Sequence, residues 1–345
     1  MSLDDYRIQD PVLTQLSQGY HNAEFVGEYL FPAVEIPKEA GRVPQFGRLA
    51  FLVHSTIREL HGASNRLTPE YSLNIPVVLE EHDVEYPIDY REEHDSSYQV
   101  KQYALNVIQG VIALGREEAI ATLVQNAKNY LPEHVASLTE KEKFSHAESN
   151  PLKVFDKGIE TVYANIGRKP NVCVISSDVW AVLKENPVLL ERIKYTRTGI
   201  LTPEIFAELI NVPTVKIGSA AKGTFSDEEA VIGVPMSKEE SDKLKLTGGQ
   251  SPTGTPRKYH PKKLAALRKV WNNSVILAYT PTRTQDRTNS IYEPAFGYTI
   301  RRKGGLFVDT YKDLGGKVEV VRCTDIHKPY LMGVSAGYLI KDCIE

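Results

Sequence analysis

The chain has 345 residues, 41% hydrophobic and 25% charged, with a formal net charge of −3 at neutral pH. That length fits two domains or one elaborate one, and the composition excludes a wholly disordered chain. The slight negative charge argues against holding nucleic acid by bulk electrostatics, though not against enclosing it.

Residues 1–95 read as short extended stretches broken by Pro and Gly, such as Tyr29-Leu-Phe-Pro-Ala-Val34 and Gly41-Arg-Val-Pro44, without the apolar content for a core of their own. Asp10-Pro11 starts a short helix with Val12, Leu13 and Leu16 on one face, and Pro32 and Pro37 keep the following chain extended. Residues 38–75 carry few large apolar side chains, with Arg42, Arg48, Arg58 and Arg66 spaced along them. They predict a projecting hairpin. Residues 76–95 alternate Val84, Tyr86, Ile88 and Tyr90 against Glu85, Asp89 and Arg91, the period of a strand.

Residues 96–130 contain no proline and predict one long helix. Asp95-Ser96-Ser97 supplies N-cap chemistry, with Glu92 and Glu93 near the positive end of the dipole. The predicted apolar face runs through Tyr103, Val107, Val111, Leu114, Ile120, Leu123 and Val124. About 34 residues would make a strut of roughly 50 Å. Gly110 and Gly115 inside it each cost about 1 kcal/mol and read either as close packing against a neighbour or as a bend.

A polar loop over 131–150 leads into an α/β stretch. Val154, Ile159 and Val162 mark a helix, Asn171-Val-Cys-Val-Ile-Ser176 a buried strand, and Thr202-Pro203-Glu204 another helix start. Thr214–Gly218 and Ser274–Tyr279 are further strands, separated by an insertion over 222–268 whose Thr247–Pro256 segment has loop composition. Strands return at Tyr298, Leu306, Lys317 and Gly337, with Leu314-Gly315-Gly316 as a hairpin turn. No internal repeat is evident.

The chemical motifs fail on context. Gly333-Val-Ser335-Ala-Gly337 matches G-x-S-x-G, but the eight residues after it read as a strand and contain no His. Ser219-Ala-Ala-Lys222 lacks the partner motifs of serine–lysine enzymes. Cys173, Cys323 and Cys343 form no CxxC pair and fit buried reduced thiols. The cluster Glu80-Glu-His82-Asp-Val-Glu85 has metal-binding residue types, yet alternation puts His82 opposite Glu81, Asp83 and Glu85. A solvated or intersubunit acidic edge is the other reading. The basic segments Arg257–Lys263, Arg268-Lys269 and Arg301–Lys303 suit a solvated face, an ion-pairing interface or DNA contact. No catalytic, cofactor-binding or metal site is expected. The residual enzymatic alternative would use Asp178 or Ser335. The N-terminus has no signal-peptide pattern, and no run approaches the roughly 20 apolar residues that span a bilayer.

The order of arm, hairpin, strut helix, α/β body and returning strands resembles the major capsid protein of tailed double-stranded DNA bacteriophages, a fold shared with encapsulins. The matching stretches are Asp10-Pro-Val-Leu-Thr14, Tyr29–Val34, Val172-Cys-Val-Ile-Ser176 continuing to Pro187, Val270-Trp-Asn-Asn-Ser274 continuing to Tyr279, Glu293-Pro-Ala-Phe-Gly297, and Gly337-Tyr-Leu-Ile340. The resemblance implies an α+β fold with an N-terminal arm (1–37) and an extended loop (38–75). It further implies a peripheral domain (76–145 and 283–330) carrying the long helix (about 96–130), and an axial domain (146–282 and 331–345) with the 222–268 insertion. It implies a non-enzymatic protein that self-assembles, as pentamers and hexamers, into the icosahedral head of a virion in the bacterial cytoplasm, with the DNA genome inside. A separate scaffolding protein, a portal and a decoration protein are the implied partners, and no membrane. An encapsulin-type compartment is the alternative within the fold. Some relatives crosslink a loop Lys to a neighbouring Asn, but 38–75 holds only Lys38, so a non-covalent shell is expected. No N-terminal scaffolding segment is apparent in the sequence.

Overall fold

The computed structural model describes residues 12–14, 25–44, 57–58, 60, 64–66, 74–95, 99–146, 148–194, 200–224, 266–281 and 295–345. Most of the predicted hairpin 38–75, the loop 247–256, the basic segment 257–263 and the proposed cap residues Ser96 and Ser97 lie outside them. The chain divides into two units, 1–220 with 270–345, and 221–269.

In the larger unit a single helical turn, α1 (Gly27–Leu30), precedes β1 (Ala33–Ile36) and β2 (Ala40–Pro44). Then come β3 (Asn74–Val78), β4 (Glu80–Asp89), α2 (Tyr90–Asp95) and the long helix α3 (Val100–Gln125). The expected helix over 96–130 is therefore too long at both ends. Asp89 Oδ1 accepts from the Arg91 N–H at 2.9 Å at the start of the separate helix α2, ahead of that segment, and Gln99, in an extended conformation, immediately precedes α3. At the other end Asn126 accepts from Lys128 N–H at 3.1 Å and caps a 3₁₀ turn. The 26 residues of α3 make a rod of about 39 Å.

Strands β1, β11 (Gly297–Asp313), β12 (Val318–Leu331) and β4 form a four-stranded sheet in the order β1-β11-β12-β4. Strand β1 pairs in parallel with β11, and the other pairs are antiparallel. The β11–β12 hairpin turns through Leu314, Gly315 and Gly316, all at positive φ, which is why the Gly pair is needed there. The first half of α3 covers one face: Ala104, Leu105 and Ile108 pack with Ile88, Val308, Val321 and Cys323.

The predicted helix face is wrong here. Tyr103, Val107 and Val111 are exposed, Tyr103 and Val111 by about half. A four-residue spacing fits two adjacent stripes, and the one led by small Ala104 allows the closer approach to the sheet. Gly115 meets open space, since a Cβ there would have no atom within 4 Å; close packing within this chain does not explain it.

A five-stranded sheet has the order β5-β13-β10-β6-β7, built from β5 (Val135–Ser137), β13 (Gly337–Lys341), β10 (Ser274–Ala278), β6 (Val172–Ser176) and β7 (Thr214–Gly218). The central strands β6 and β10 are buried at every residue, the pattern of strands covered on both faces. Strand β5 pairs with β13, so this layer begins before the expected boundary at 146. Around it lie α4 (Pro151–Ile166), α5 (Ser177–Glu185), α6 (Pro187–Ile193) and α7 (Pro203–Ile210). Asn150 and Thr202 cap α4 and α7, each ahead of a Pro at the first turn. Ile120, Ala121 and Val124 from the second half of α3 belong to this core, as do Val26, Leu30 and Phe31. The long helix thus joins two cores.

A third cluster packs Val43, Val77 and Leu79 at the base of the β2–β3 hairpin against Tyr298, Ile300, Ile326 and Met332. The smaller unit contains the antiparallel pair β8 (Ala221–Thr224) and β9 (Ala266–Lys269).

Candidate functional site

Two consecutive residues of α3 tie the elements together. Glu117 is buried and accepts three N–H groups: Val26 at 2.9 Å, Gly27 at 2.8 Å and the Trp271 indole at 2.7 Å. Its carboxylate sits at the N-terminus of α1, where backbone donors lack helical partners. Burial pushes the carboxyl above its usual value, and the three donors and Arg116 oppose that push. Gly27 is required, because a Cβ would lie 2.6 Å from Glu117 Oε2. Arg116 turns the other way, reaching Glu28 at 2.7 Å and Asp325 at 3.8 Å.

Asp325 is 1% exposed and is flanked by Arg301 at 3.0 Å and by His327 Nδ1 at 3.1 Å, off the line of a good hydrogen bond. Burial pushes its carboxyl up, but His327, Arg301 and Arg116 outweigh burial and hold it below the usual value. The His327 ring lies 4.4 Å from that of His82, tilted by 31°. Burial and the neighbouring His327 lower the His82 pKa below 6.5.

The acidic strand β4 finds its partners inside the chain. Glu80 pairs with Lys328, Asp83 accepts from Thr324 at 2.8 Å, and Glu85 accepts from Tyr311 at 2.9 Å with Arg322 at 3.7 Å. Burial and the Glu85 carboxylate push the Tyr311 phenol up to about 12. Arg322 also grips buried Asp309 through two nitrogens. Strand β4 is the edge of its sheet, as an acidic edge requires, and within the chain β12 supplies cations to two of its acids, Lys328 to Glu80 and Arg322 to Glu85. Arg301 and Arg302 of the basic triplet are likewise paired, to Asp325 and Glu39.

Ser335 sits in a 3₁₀ turn entering β13 rather than on a strand-to-helix elbow, and Asp178 lies in the first turn of α5. His134 is buried with Nδ1 2.7 Å from the Gly337 carbonyl and Nε2 2.8 Å from Asn165 Nδ2. Its ring is thereby held as an Nδ1–H donor and Nε2 acceptor. Burial raises the three thiols, that of Cys323 to about 12. Among the described residues no group of three or more His, Cys, Asp or Glu could hold a metal, and no helix is long and apolar enough to cross a membrane.

No protein-family model matches the chain. A curated major capsid protein of Burkholderia phage BcepMu is 39% identical over 338 residues, covering 98% of this chain and 97% of that protein. This chain belongs to the phage major capsid protein family. As a major capsid protein it is structural, not enzymatic. Solved structures show the same fold. A phage-related protein from Bordetella bronchiseptica superposes with a TM-score of 0.73 at 23% identity, covering 98% of both chains. The capsid of cyanophage P-SCSP1u gives 0.53 at 11% identity, covering 94% of this chain and 89% of that one. In a major capsid protein the buried ion pairs above are read as ties between elements. Glu117 carried no local signal in the sequence, since Val26, Gly27 and Trp271 stand about 90 to 154 residues away, and Asp325 is set apart by a burial that only the fold creates.

Proposed function

We propose that this chain forms the icosahedral head of a phage from pentamers and hexamers, with the double-stranded DNA genome inside. The near-full-length identity to the Burkholderia phage capsid protein carries this reading. The four-stranded sheet with the first half of α3 serves as the peripheral domain, and the five-stranded sheet with its helices as the axial domain. The β2–β3 hairpin is the base of the extended loop. A scaffolding protein, a portal and a decoration protein are the proposed partners, and assembly takes place in the bacterial cytoplasm. DNA contact is nonspecific and lies on the inner face. The shell is held without covalent crosslinks, because Lys38 at the foot of the loop is its single lysine.

Size exclusion and negative-stain microscopy of the native material test this directly. Closed megadalton shells containing DNA are expected. Monomers, or shells filled with protein cargo and no DNA, would overturn it.

A further inference from the structure

One row of α3 is apolar and uncovered. Tyr103, Val107 and Val111 are 50%, 37% and 53% exposed, and Gly115, next on the same row, has open space where a Cβ would stand. From Gln102 to Gly115 the helix carries no charged residue, although the solvent face of a helix is ordinarily polar and charged. Loss of charge with aromatic and apolar groups retained is the composition of an interface core. Gly115 also weakens the helix, and the empty space over it gives no compensation within the chain.

The order of sizes along the row is specific. Tyr103, Val107, Val111 and Gly115 stand four residues apart and form one ridge of the helix surface. The commonest helix packing lays two such ridges side by side at an interaxial angle of about −50°. Set antiparallel on its own copy about a two-fold axis, this row places Val107 against Val111 of the second copy and Tyr103 over Gly115 of the second copy. The largest side chain meets the vacant place, and the two mid-sized ones meet each other. A parallel pair would instead set Tyr103 on Tyr103 and leave the two glycines facing across a gap. A two-fold contact requires a self-complementary patch, and the antiparallel row is one. Tyr86 stands edge-on to the Tyr103 ring, with centroids 6.4 Å apart at 89°, so the ring is already held and loses little freedom on docking.

We propose that α3 packs antiparallel against α3 of a second copy through this row. The inference rests on the shell reading above and names a contact within it. The row is far shorter than the about 20–30 residues a side of a stable pair. The contact therefore forms between copies that other surfaces already hold together.

The register gives the test. Val107→Cys and Val111→Cys are prepared as separate proteins, and shells are grown from each alone and from an equal mixture. Background is low, because burial holds the Cys323 thiol at about 12 and Cys173 and Cys343 are also buried. After mild oxidation with diamide, the mixed shells should yield disulfide-linked dimers, with at least about tenfold less from either variant alone, because only position 107 against position 111 meets the short Cα separation of a disulfide. Equal dimer from Val107→Cys alone would show a parallel or shifted pair. No dimer from the mixed shells would show that the helices do not meet. Either result overturns the proposal.

Gly115→Leu fills the open space with a residue that favours helix. The unassembled variant should unfold at a higher urea concentration than the unaltered chain, yet need about a tenfold higher threshold concentration to assemble, because the leucine collides with Tyr103 of the second copy. Stability gained with assembly lost is a combination that a folding defect cannot give. Adding Tyr103→Ala makes room and should bring the threshold back down. An unchanged threshold for Gly115→Leu, or no recovery in the double variant, would refute the pairing. Shells of the unaltered chain that fail these tests would leave the shell reading standing, whereas no shells from the unaltered chain would overturn both.

Discussion

Glu117 Oε1 accepts the indole N–H of Trp271 at 2.7 Å across 154 residues of sequence, and the same carboxylate caps α1. The N-terminal segment, the long helix and the entry to β10 therefore meet at one buried acid. Trp271 is fully buried, and a Cβ on Gly218 would collide with its ring. The indole has one available position, and that position aims its N–H at Glu117.

Glu117→Ala leaves three buried donors unpaired and opens a cavity. With each orphan worth about 1–3 kcal/mol, a loss of at least about 3 kcal/mol in urea unfolding is expected. A loss under about 1 kcal/mol would mean that the donors find other acceptors. Glu117→Gln tests the electrostatics separately. Because burial raises the folded-state pKa, the contribution of Glu117 is greatest below its ordinary value of 4.5 and is lost as pH rises through the folded value. The stability difference between the native chain and the Gln variant should shrink as pH rises from 4.5. A gap that widens instead would refute the raised pKa.

His82 predicts the behaviour in acid. Its folded-state pKa is depressed, so its contribution is present above 6.5 and lost as pH falls through the folded value. Titratable groups facing it are His327 and Asp325 on β12 and Glu80 on its own strand. Asp325, also depressed, adds a second loss below its ordinary 3.8. The melting temperature should begin to fall below pH 6.5. His82→Phe keeps a ring against His327 and should remove that first decline, while a decline equal to that of the unaltered chain would show that His82 does not cause it.

What the sequence made legible follows from range. Strands β6 and β10 are apolar runs but for one serine each, and Thr202-Pro203 announces a helix by its own chemistry. Tertiary choices were not legible. The Tyr103–Val107–Val111 stripe has the right period, but the sheet selected the stripe containing Ala104. Strand β4 is an acidic edge as its alternation indicates, but the pairing of Glu80 with Lys328 and of Glu85 with Arg322 was not legible, because those cations lie more than 200 residues later. Glu117 and Asp325 looked like ordinary helix and strand charges until the fold buried them.

The Glu80–Lys328 pair allows a test of how far pairing within the chain satisfies that edge. Both side chains are partly exposed, so the pair is worth about 0.2–1 kcal/mol. Glu80→Lys or Lys328→Glu alone should lower stability by about that amount, and the double exchange should restore it. If the exchange restores stability but shells still fail to form, Glu80 also has a partner outside the chain.

The extended loop can be removed without damaging the core only if the cut respects the third cluster. Deleting 40–75 would take away the whole of β2, Val43 included, and two of the five residues of β3, so any loss of assembly could be a folding defect. Pro44 and Asn74 are directly paired across the β2–β3 ladder, which lets a two-residue Asn-Gly turn close the hairpin after deletion of 45–73. Val43 and Val77 then keep their places against Tyr298 and Ile326. The shortened chain should unfold with a midpoint close to that of the full chain and fail to build closed shells, as read by negative stain. Normal shells from it would show that the contacts holding neighbours together lie on the body instead.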